Sequence, residues 1–345
     1  MPAAVGSRMR HADNVPLAVL GSGSWGTALA IHFARTGTPT RLWGRDAAHQ
    51  AAMREARRNQ KYLPDAPFPP RLEIGLDLAT TLDGVTDVLI AVPSHGFRAL
   101  LERVRPCLRP GMRIAWATKG FELGTGKLPH QVATEVLGMG VPTAVLSGPT
   151  FAREVGLGLP TAMTVASRDR EYAMELAQRL SGARFRAYAS TDMVGVEVGG
   201  ATKNVLAIGA GISDGLGFGA NTRVALITRG LAEMMRLGVA LGANKDTFMG
   251  LTGLGDLVLT CTDDQSRNRR FGLALAAGKS SDEAQLEIGQ VVEGVLAARA
   301  VTAVARTYRV EMPIAEQISK VIYDGAPPRE AVAVLMARAI KAETQ

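Results

Sequence analysis

The chain has 345 residues, enough for two domains with cores of their own, and its 47% apolar and 21% charged content is ordinary for a globular enzyme. Its net charge of +7 comes from 39 basic residues dispersed among 32 acidic ones with only 5% aromatics, which argues against nucleic-acid binding and suits anionic nucleotides or phosphorylated substrates. Two cysteines, Cys107 and Cys261, argue against a disulfide framework and for a reducing compartment such as the cytoplasm.

No apolar run reaches the roughly 18 residues that span a bilayer, so stable membrane insertion is not expected. The five histidines show no metal-ligand spacing, so no metal site is expected. Residues 1–14 carry Arg8 and Arg10 but no apolar stretch, which reads as a flexible extension and not as a secretory signal.

From residue 15 the chain alternates strand and helix. Leu17-Ala18-Val19-Leu20 reads as a buried strand and Thr27 to Ala34 as a helix. Between them lies Gly21-Ser22-Gly23-Ser24-Trp25-Gly26, a G-x-G-x-x-G turn. Gly21 permits the tight turn, Gly23 lets backbone approach a pyrophosphate, and Gly26 lets helix and strand pack closely, with the helix N–H groups facing the anion. A purely structural strand-to-helix turn is the alternative.

Thr40 to Trp43 is a second strand, followed by Gly44-Arg45-Asp46 and a helix over 47–58. An arginine at this strand end suits the 2′-phosphate of NADP(H), with NAD(H) also accepted; an exposed Arg45 beside a helix-capping Asp46 is the bland reading. The four prolines between Tyr62 and Pro70 predict an irregular segment. Further strands are expected over 88–92, 114–117, 144–146, 161–166 and 185–188. The alternation implies a doubly wound parallel sheet, a Rossmann domain over residues 15–189, with ligands beyond the carboxyl ends of its strands. Those ends carry Pro93-Ser94, Thr118-Lys119-Gly120 and Ser147-Gly148-Pro149-Thr150.

Beyond Ser190 the spacing turns helical, so residues 190–345 are expected to form an all-α domain. Val194, Val198, Ala201, Val205 and Ile208 follow one stripe, and helices are expected over 224–241, 291–308 and 330–342. The apolar helices fit a homodimer, although buried helices explain the same pattern.

Lys203 is the only charge between Glu197 and Asp214, so it must snorkel, pair or work. Gly199 and Gly200 cost about 1 kcal/mol each inside a helix, which implies a close neighbour there. Asp256 precedes an apolar run, and Ser266-Arg267-Asn268 gathers donors suited to a phosphate. A solvated basic turn is the alternative for this last segment, and Glu293 reads equally as an ordinary helix-face carboxylate.

Taken together these segments resemble the bacterial NAD(P)-dependent glycerol-3-phosphate dehydrogenase family. The matching motifs are Gly-Ser-Trp-Gly-Thr-Ala-Leu-Ala (23–30), Val-Pro-Ser-His (92–95), Ala-Thr-Lys-Gly (117–120) and Ser-Gly-Pro-Thr-Phe-Ala (147–152). In the second half they are Lys-Asn-Val-Leu-Ala-Ile-Gly-Ala-Gly (203–211), Gly-Leu-Gly-Asp-Leu-Val-Leu-Thr-Cys-Thr (253–262), Ser-Arg-Asn-Arg-Arg-Phe-Gly (266–272) and Val-Val-Glu-Gly (291–294). The resemblance covers roughly residues 16 to 340 and leaves the first 14 outside. Thr150 stands where the family commonly has serine, and position 45 varies among basic residues.

The resemblance implies reversible reduction of dihydroxyacetone phosphate to sn-glycerol 3-phosphate, a phospholipid precursor, by NADPH or NADH. It makes Lys203 the proton donor and acceptor. It assigns Lys119, Gly148, Thr150, Lys203, Asp256, Ser266, Arg267 and Asn268 to the substrate, and beside them Asn204 with Asp256 is expected to orient Lys203 and hold the substrate hydroxyl. To the cofactor it assigns Ser24, Trp25, Arg45, Lys119, Ala152, Arg267, Val291 and Glu293, beside the glycines 21, 23 and 26 of the turn. A ketopantoate-type reductase would share the fold and a helix lysine but, acting on a carboxylate, would not need the phosphate-binding segment after Asp256. A cofactor-sensing regulator would not need the buried lysine.

Overall fold

A computed structural model describes residues 15–339. The expected extension over 1–14 lies outside the described residues, and the helix expected over 330–342 stops at Met336, before the last described residue. The chain divides into two compact units, one running to Glu122 and resuming over Lys127–Glu197, the other taking Leu123–Gly126 and Val198 onward.

The first unit is built on an eight-stranded sheet. Its strands are β1 (Leu17–Leu20), β2 (Thr40–Trp43), β5 (Leu72–Gly75), β6 (Asp87–Ile90), β7 (Arg113–Trp116), β8 (Thr143–Ser147), β9 (Thr161–Ala166) and β10 (Phe185–Ser190), in the order β10-β9-β8-β7-β6-β1-β2-β5. β1 pairs in parallel with both β2 and β6, placing Leu20 opposite Trp43 on one side and Ile90 on the other. The chain therefore winds outward in both directions from β1, and the crevice beyond its carboxyl end is the topological switch point. The fold is the expected mostly parallel, doubly wound sheet; the one exception is β8 with β9, which run antiparallel.

All four β1 residues are fully buried because the strand feeds two cores. Leu17 and Val19 face a cluster built with α1 (Ser24–Arg35), α6 (Ala152–Leu157) and α7 (Arg170–Leu180). Ala18 and Leu20 face another, built with α3 (Leu78–Thr81), α4 (Phe97–Val104) and α5 (Pro129–Leu137). At the amino end of β6 the buried Asp87 takes two bonds from Arg113, at 2.7 and 2.9 Å, and one from Arg179 at 2.5 Å. Arg179 also ties down Val15 through its carbonyl, so this charge cluster is a structural clasp at the sheet edge away from the switch point.

The segment expected to be irregular, Tyr62 to Pro70, contains β4 (Leu63–Pro67), which pairs antiparallel with β3 (Arg58–Asn59) just after α2 (Ala47–Ala56). A ribbon of two strands leaves half of its N–H groups unpaired, so the imino nitrogens of Pro64 and Pro67 do little harm. The helix expected over 47–58 stops at Ala56, and β3, β4 and β5 have no counterpart among the expected strands.

α8 (Met193–Gly215) has its first turn in the first unit and the rest, from Val198, in the second, where it is followed by α9 (Ala220–Ala240), α10 (Asp256–Thr262), α11 (Arg267–Ala276), α12 (Ser281–Ile288), α13 (Glu293–Thr307), α14 (Pro313–Tyr323) and α15 (Pro328–Met336). From residue 195 to 213 every position of α8 is buried, so the expected stripe is a whole circumference. Small residues let neighbours close in on it. A Cβ on Gly211 would lie 2.0 Å from the Arg269 carbonyl oxygen, and one on Gly272 would lie 2.1 Å from that of Ile208, so α8 and α11 cross backbone to backbone. α14 has no side-chain cap from its own segment; Glu233 of α9 supplies one, accepting the N–H groups of Ile314 at 2.7 Å and Ala315 at 3.2 Å. Among the described residues no helix is long and apolar enough to cross a membrane.

Candidate functional site

In the first unit the glycine turn follows its expected logic. Gly21 has φ +124°, and a Cβ there would lie 2.3 Å from the Ala91 carbonyl oxygen; a Cβ on Gly26 would lie 1.9 Å from that of Gly21. Gly23 faces open space and caps α1 with extended backbone, without a side-chain bond and without an acid in the first turn. The helix thus starts with N–H groups that no side chain of its own satisfies, behind a glycine that leaves room for an anion. Ser24 and Trp25 open this helix, and Trp25 Nε1 is a buried donor with no partner. Both features fit a dinucleotide.

The capping reading of the 45–46 pair holds. Asp46 caps α2 by accepting the His49 N–H at 3.1 Å, a bond that holds its carboxyl below the usual range, while Arg45 stands exposed at the end of β2. Thr118 bonds the Val92 carbonyl at 2.7 Å beyond β7, and the half-buried Lys119 follows it. Beyond β8, Gly148 has φ +155° and a Cβ there would lie 2.8 Å from Met163 Cα. Thr150 folds back to the Gly148 carbonyl at 3.3 Å, and Ala152 opens α6. Because β1, β6, β7 and β8 run in parallel, these segments leave the sheet at one edge.

In the second unit Lys203 is 6% exposed and neither snorkels nor stands alone. Its Nζ bonds Asp256 Oδ1 at 2.5 Å and Thr260 Oγ1 at 3.0 Å, while Thr260 donates to the Asp256 carbonyl at 2.6 Å. Asp256 is fully buried at the first position of α10, immediately after a π-helical turn, Leu251–Gly255. Gly199 makes room for that turn: a Cβ there would lie 2.4 Å from the Thr252 carbonyl oxygen, so the expected close neighbour is backbone. An ammonium held by a buried carboxylate and hydroxyl is a positioned cation with protons to give.

Ser266 caps α11 by accepting the Arg269 N–H at 3.2 Å. The half-buried Arg267 reaches Gln290 at 3.3 Å, whereas Arg269 is buried against Asp214 at 2.7 Å and Asp264. The two arginines therefore differ: Arg269 is consumed by the structure, and Arg267 sits at the surface of the segment. Asn268 bonds Asn204 at 2.9 Å and the Gly294 N–H at 2.8 Å, and Asn204 bonds Glu293 Oε2 at 3.3 Å. Glu293 opens α13, two residues after the exposed Val291. Asn204, Asn268 and Glu293 are thus joined by hydrogen bonds, and Lys203 joins Asp256. Thr260 is the member that the sequence did not single out; its only signal is its place four residues after Asp256, one turn along α10. Burial pushes the neighbouring Cys261 thiol up to about 12, which leaves it inert.

Family models described as the N-terminus and the C-terminus of NAD-dependent glycerol-3-phosphate dehydrogenase match residues 16–173 and 192–333. The chain belongs to the NAD-dependent glycerol-3-phosphate dehydrogenase family. Members similar to it include a glycerol-3-phosphate dehydrogenase [NAD(P)+] of Nitrosococcus oceani, 59% identical over 96% of each chain. One from Edwardsiella ictaluri is 58% identical over 95% of this chain and 97% of its own. The crystal structure of the glycerol-3-phosphate dehydrogenase of Coxiella burnetii superposes with a TM-score of 0.92 at 48% identity, covering 94% of this chain and all of that one. A ketopantoate reductase from Ralstonia eutropha shares the fold alone, at 15% identity and a TM-score of 0.58.

Proposed function

We infer that this chain is an NAD(P)-dependent oxidoreductase acting on a CH–OH group, which interconverts dihydroxyacetone phosphate and sn-glycerol 3-phosphate for phospholipid synthesis. Family membership supports the activity, and the buried Lys203–Asp256–Thr260 cluster is the observation that carries the chemistry. Cytoplasmic placement belongs to the same reading, on the strength of two free cysteines.

The glycines 21, 23 and 26 with Ser24 and Trp25 hold the dinucleotide at the start of α1, and Arg45 takes its adenosine end. The resemblance adds Lys119, Ala152, Arg267, Val291 and Glu293 to the cofactor contacts. When bound, the nicotinamide supplies or takes up the hydride. Lys203 meets the carbonyl oxygen, where negative charge builds during reduction; its ammonium stabilises that charge and gives up a proton, and in reverse its neutral form accepts the hydroxyl proton. Asp256 and Thr260 hold Nζ in place for this. Arg267 and Ser266 grip the phosphate, with Lys119, Gly148, Thr150 and Asn204 completing the substrate contacts, and that grip fixes the ketone for reaction.

The test is direct. Purified protein mixed with NADPH and dihydroxyacetone phosphate should consume the nicotinamide absorbance, and unphosphorylated dihydroxyacetone should be a poor substitute. Consumption with a 2-keto acid but not with the phosphate ester would sink the reading. Arg45→Ala should raise KM for NADPH more than for NADH; an equal loss for both would take the 2′-phosphate away from Arg45.

A further inference from the structure

The first turn of α8 is held by a buried carboxylate. The Glu197 side chain is 1% exposed. Its Oε1 accepts the Trp116 indole N–H at 3.0 Å and the His130 main-chain N–H at 2.9 Å, and its Oε2 meets His130 Nδ1 at 2.5 Å. An ionised carboxylate only accepts, so Nδ1 is the ring nitrogen that carries the proton here. Trp116 is the last residue of β7, His130 stands in the first turn of α5, and both are buried. Met193 and Val196, from the same turn of α8 as Glu197, pack in one core with Trp116. A carboxylate out of water costs several kcal/mol unless its oxygens are met, and donors from two elements meet both of these.

Neither Glu197 nor its partners belong to the substrate or cofactor residues named above. Yet Lys203 lies further along the same unbroken helix, about 9 Å away at 1.5 Å per residue. Whatever shifts the first turn therefore shifts the base of the lysine. We propose that Glu197 is a positioning residue for the reaction: its reach to Trp116 and His130 fixes the root of the helix that carries Lys203, and so the aim of the ammonium that protonates the substrate. The inference rests on the function proposed above. It assigns the effect to the length of the side chain and not to its charge.

Two substitutions separate length from charge. Glu197→Gln keeps the length. Its carbonyl still accepts from Trp116 and from the His130 main chain, and its NH2 donates to His130 Nδ1 once the imidazole moves its proton to Nε2. Glu197→Asp keeps the charge but is one methylene short, so it meets both partners only by drawing the helix root toward them. Turnover with dihydroxyacetone phosphate is counted per NADPH-binding site, titrated separately, so that unfolded molecules do not enter it. E197D should lower kcat per site by about 10- to 100-fold with KM for NADPH little changed. E197Q should stay within about threefold of the unsubstituted chain. Equal losses in both variants, or a loss in E197Q alone, would give the effect to charge and overturn the proposal. Full turnover per site in both, with Tm lowered, would make Glu197 a part of the core only and overturn it as well. So would a loss in E197D confined to KM for NADPH, which would place the effect on β7 and the Lys119 beyond it. Should E197D fail to fold, His130→Ala takes its place, since it removes the ring and leaves both bonds to Oε1. A fall in kcat per site of about threefold or more then supports the proposal, and an unchanged value overturns it. An unsubstituted chain that leaves NADPH unoxidised would remove the proposed function and this inference with it; turnover that is normal there and insensitive to residue 197 would remove this inference alone.

Discussion

A buried ammonium is tolerable only when its partners offset several kcal/mol of lost hydration, and Asp256 and Thr260 are those partners for Lys203. Lys203→Ala should lower kcat by about 10²–10⁴ while leaving NADPH affinity near normal, read by turnover and by titration of the dinucleotide. Near-normal turnover would eliminate Lys203 as the proton donor. The same variant takes the ammonium away from the fully buried Asp256, so Tm should fall as well. The arginines of the 266–270 segment should part company. Arg267→Ala should raise KM for dihydroxyacetone phosphate by about 10- to 100-fold, the worth of one or two charge-assisted bonds, with little change in Tm. Arg269→Ala should instead lower Tm, because it leaves Asp214 without that partner. Lys203 was legible in the sequence because a lone charge in an apolar helix is conspicuous. The difference between Arg267 and Arg269 was not, since two residues of offset on a helix select opposite sides only once the neighbours are known.

At the scale of elements, the long apolar strands announced themselves, and β1, β6, β7 and β8 fall within a residue or two of their expected places. β5 escaped because a four-residue edge strand with one exposed glutamate carries little pattern. The helices between residues 256 and 323 were partly hidden because most of them are short. The π turn before Asp256 could not be read at all: an extra residue in a helix is a packing outcome, and Gly199 is what admits it. Gly199→Ala sets two effects against each other. Alanine favours the helix by about 1 kcal/mol, but a Cβ pressed on the Thr252 carbonyl costs about 1–3 kcal/mol of strain. Strain should win, lowering Tm and, by moving Asp256 off Lys203, lowering kcat more than it changes KM. A raised Tm with full turnover would show that the turn has room to spare.

For the molecule as a whole, the stability of the helical unit should depend on pH through Glu233. Burial is the larger influence on its carboxyl and pushes it up to about 7, against the two N–H bonds of α14 that pull it down. A folded value above the ordinary 4.5 means that the native state holds the proton more tightly, so this group's contribution is complete below pH 4.5 and is lost as pH rises through about 7. The loss is about 2–3 kcal/mol, a few degrees of Tm, and Glu233→Gln should remove it. The comparison is the Tm difference between the two proteins at pH 5 and pH 8, and a difference that does not change with pH would refute the assignment. The change from alternating strand and helix to helix alone was plain in the sequence; that the helical unit also claims Leu123–Gly126, far upstream, was not. Gly126 lies where a Cβ would be 3.0 Å from Val304 Cγ2 on α13, so this short stretch covers part of a helix encoded nearly two hundred codons later. A gene truncated to begin at Val198 therefore omits a piece of the body it is meant to express. A soluble version would call for those four residues to be grafted back or Val304 to be made polar.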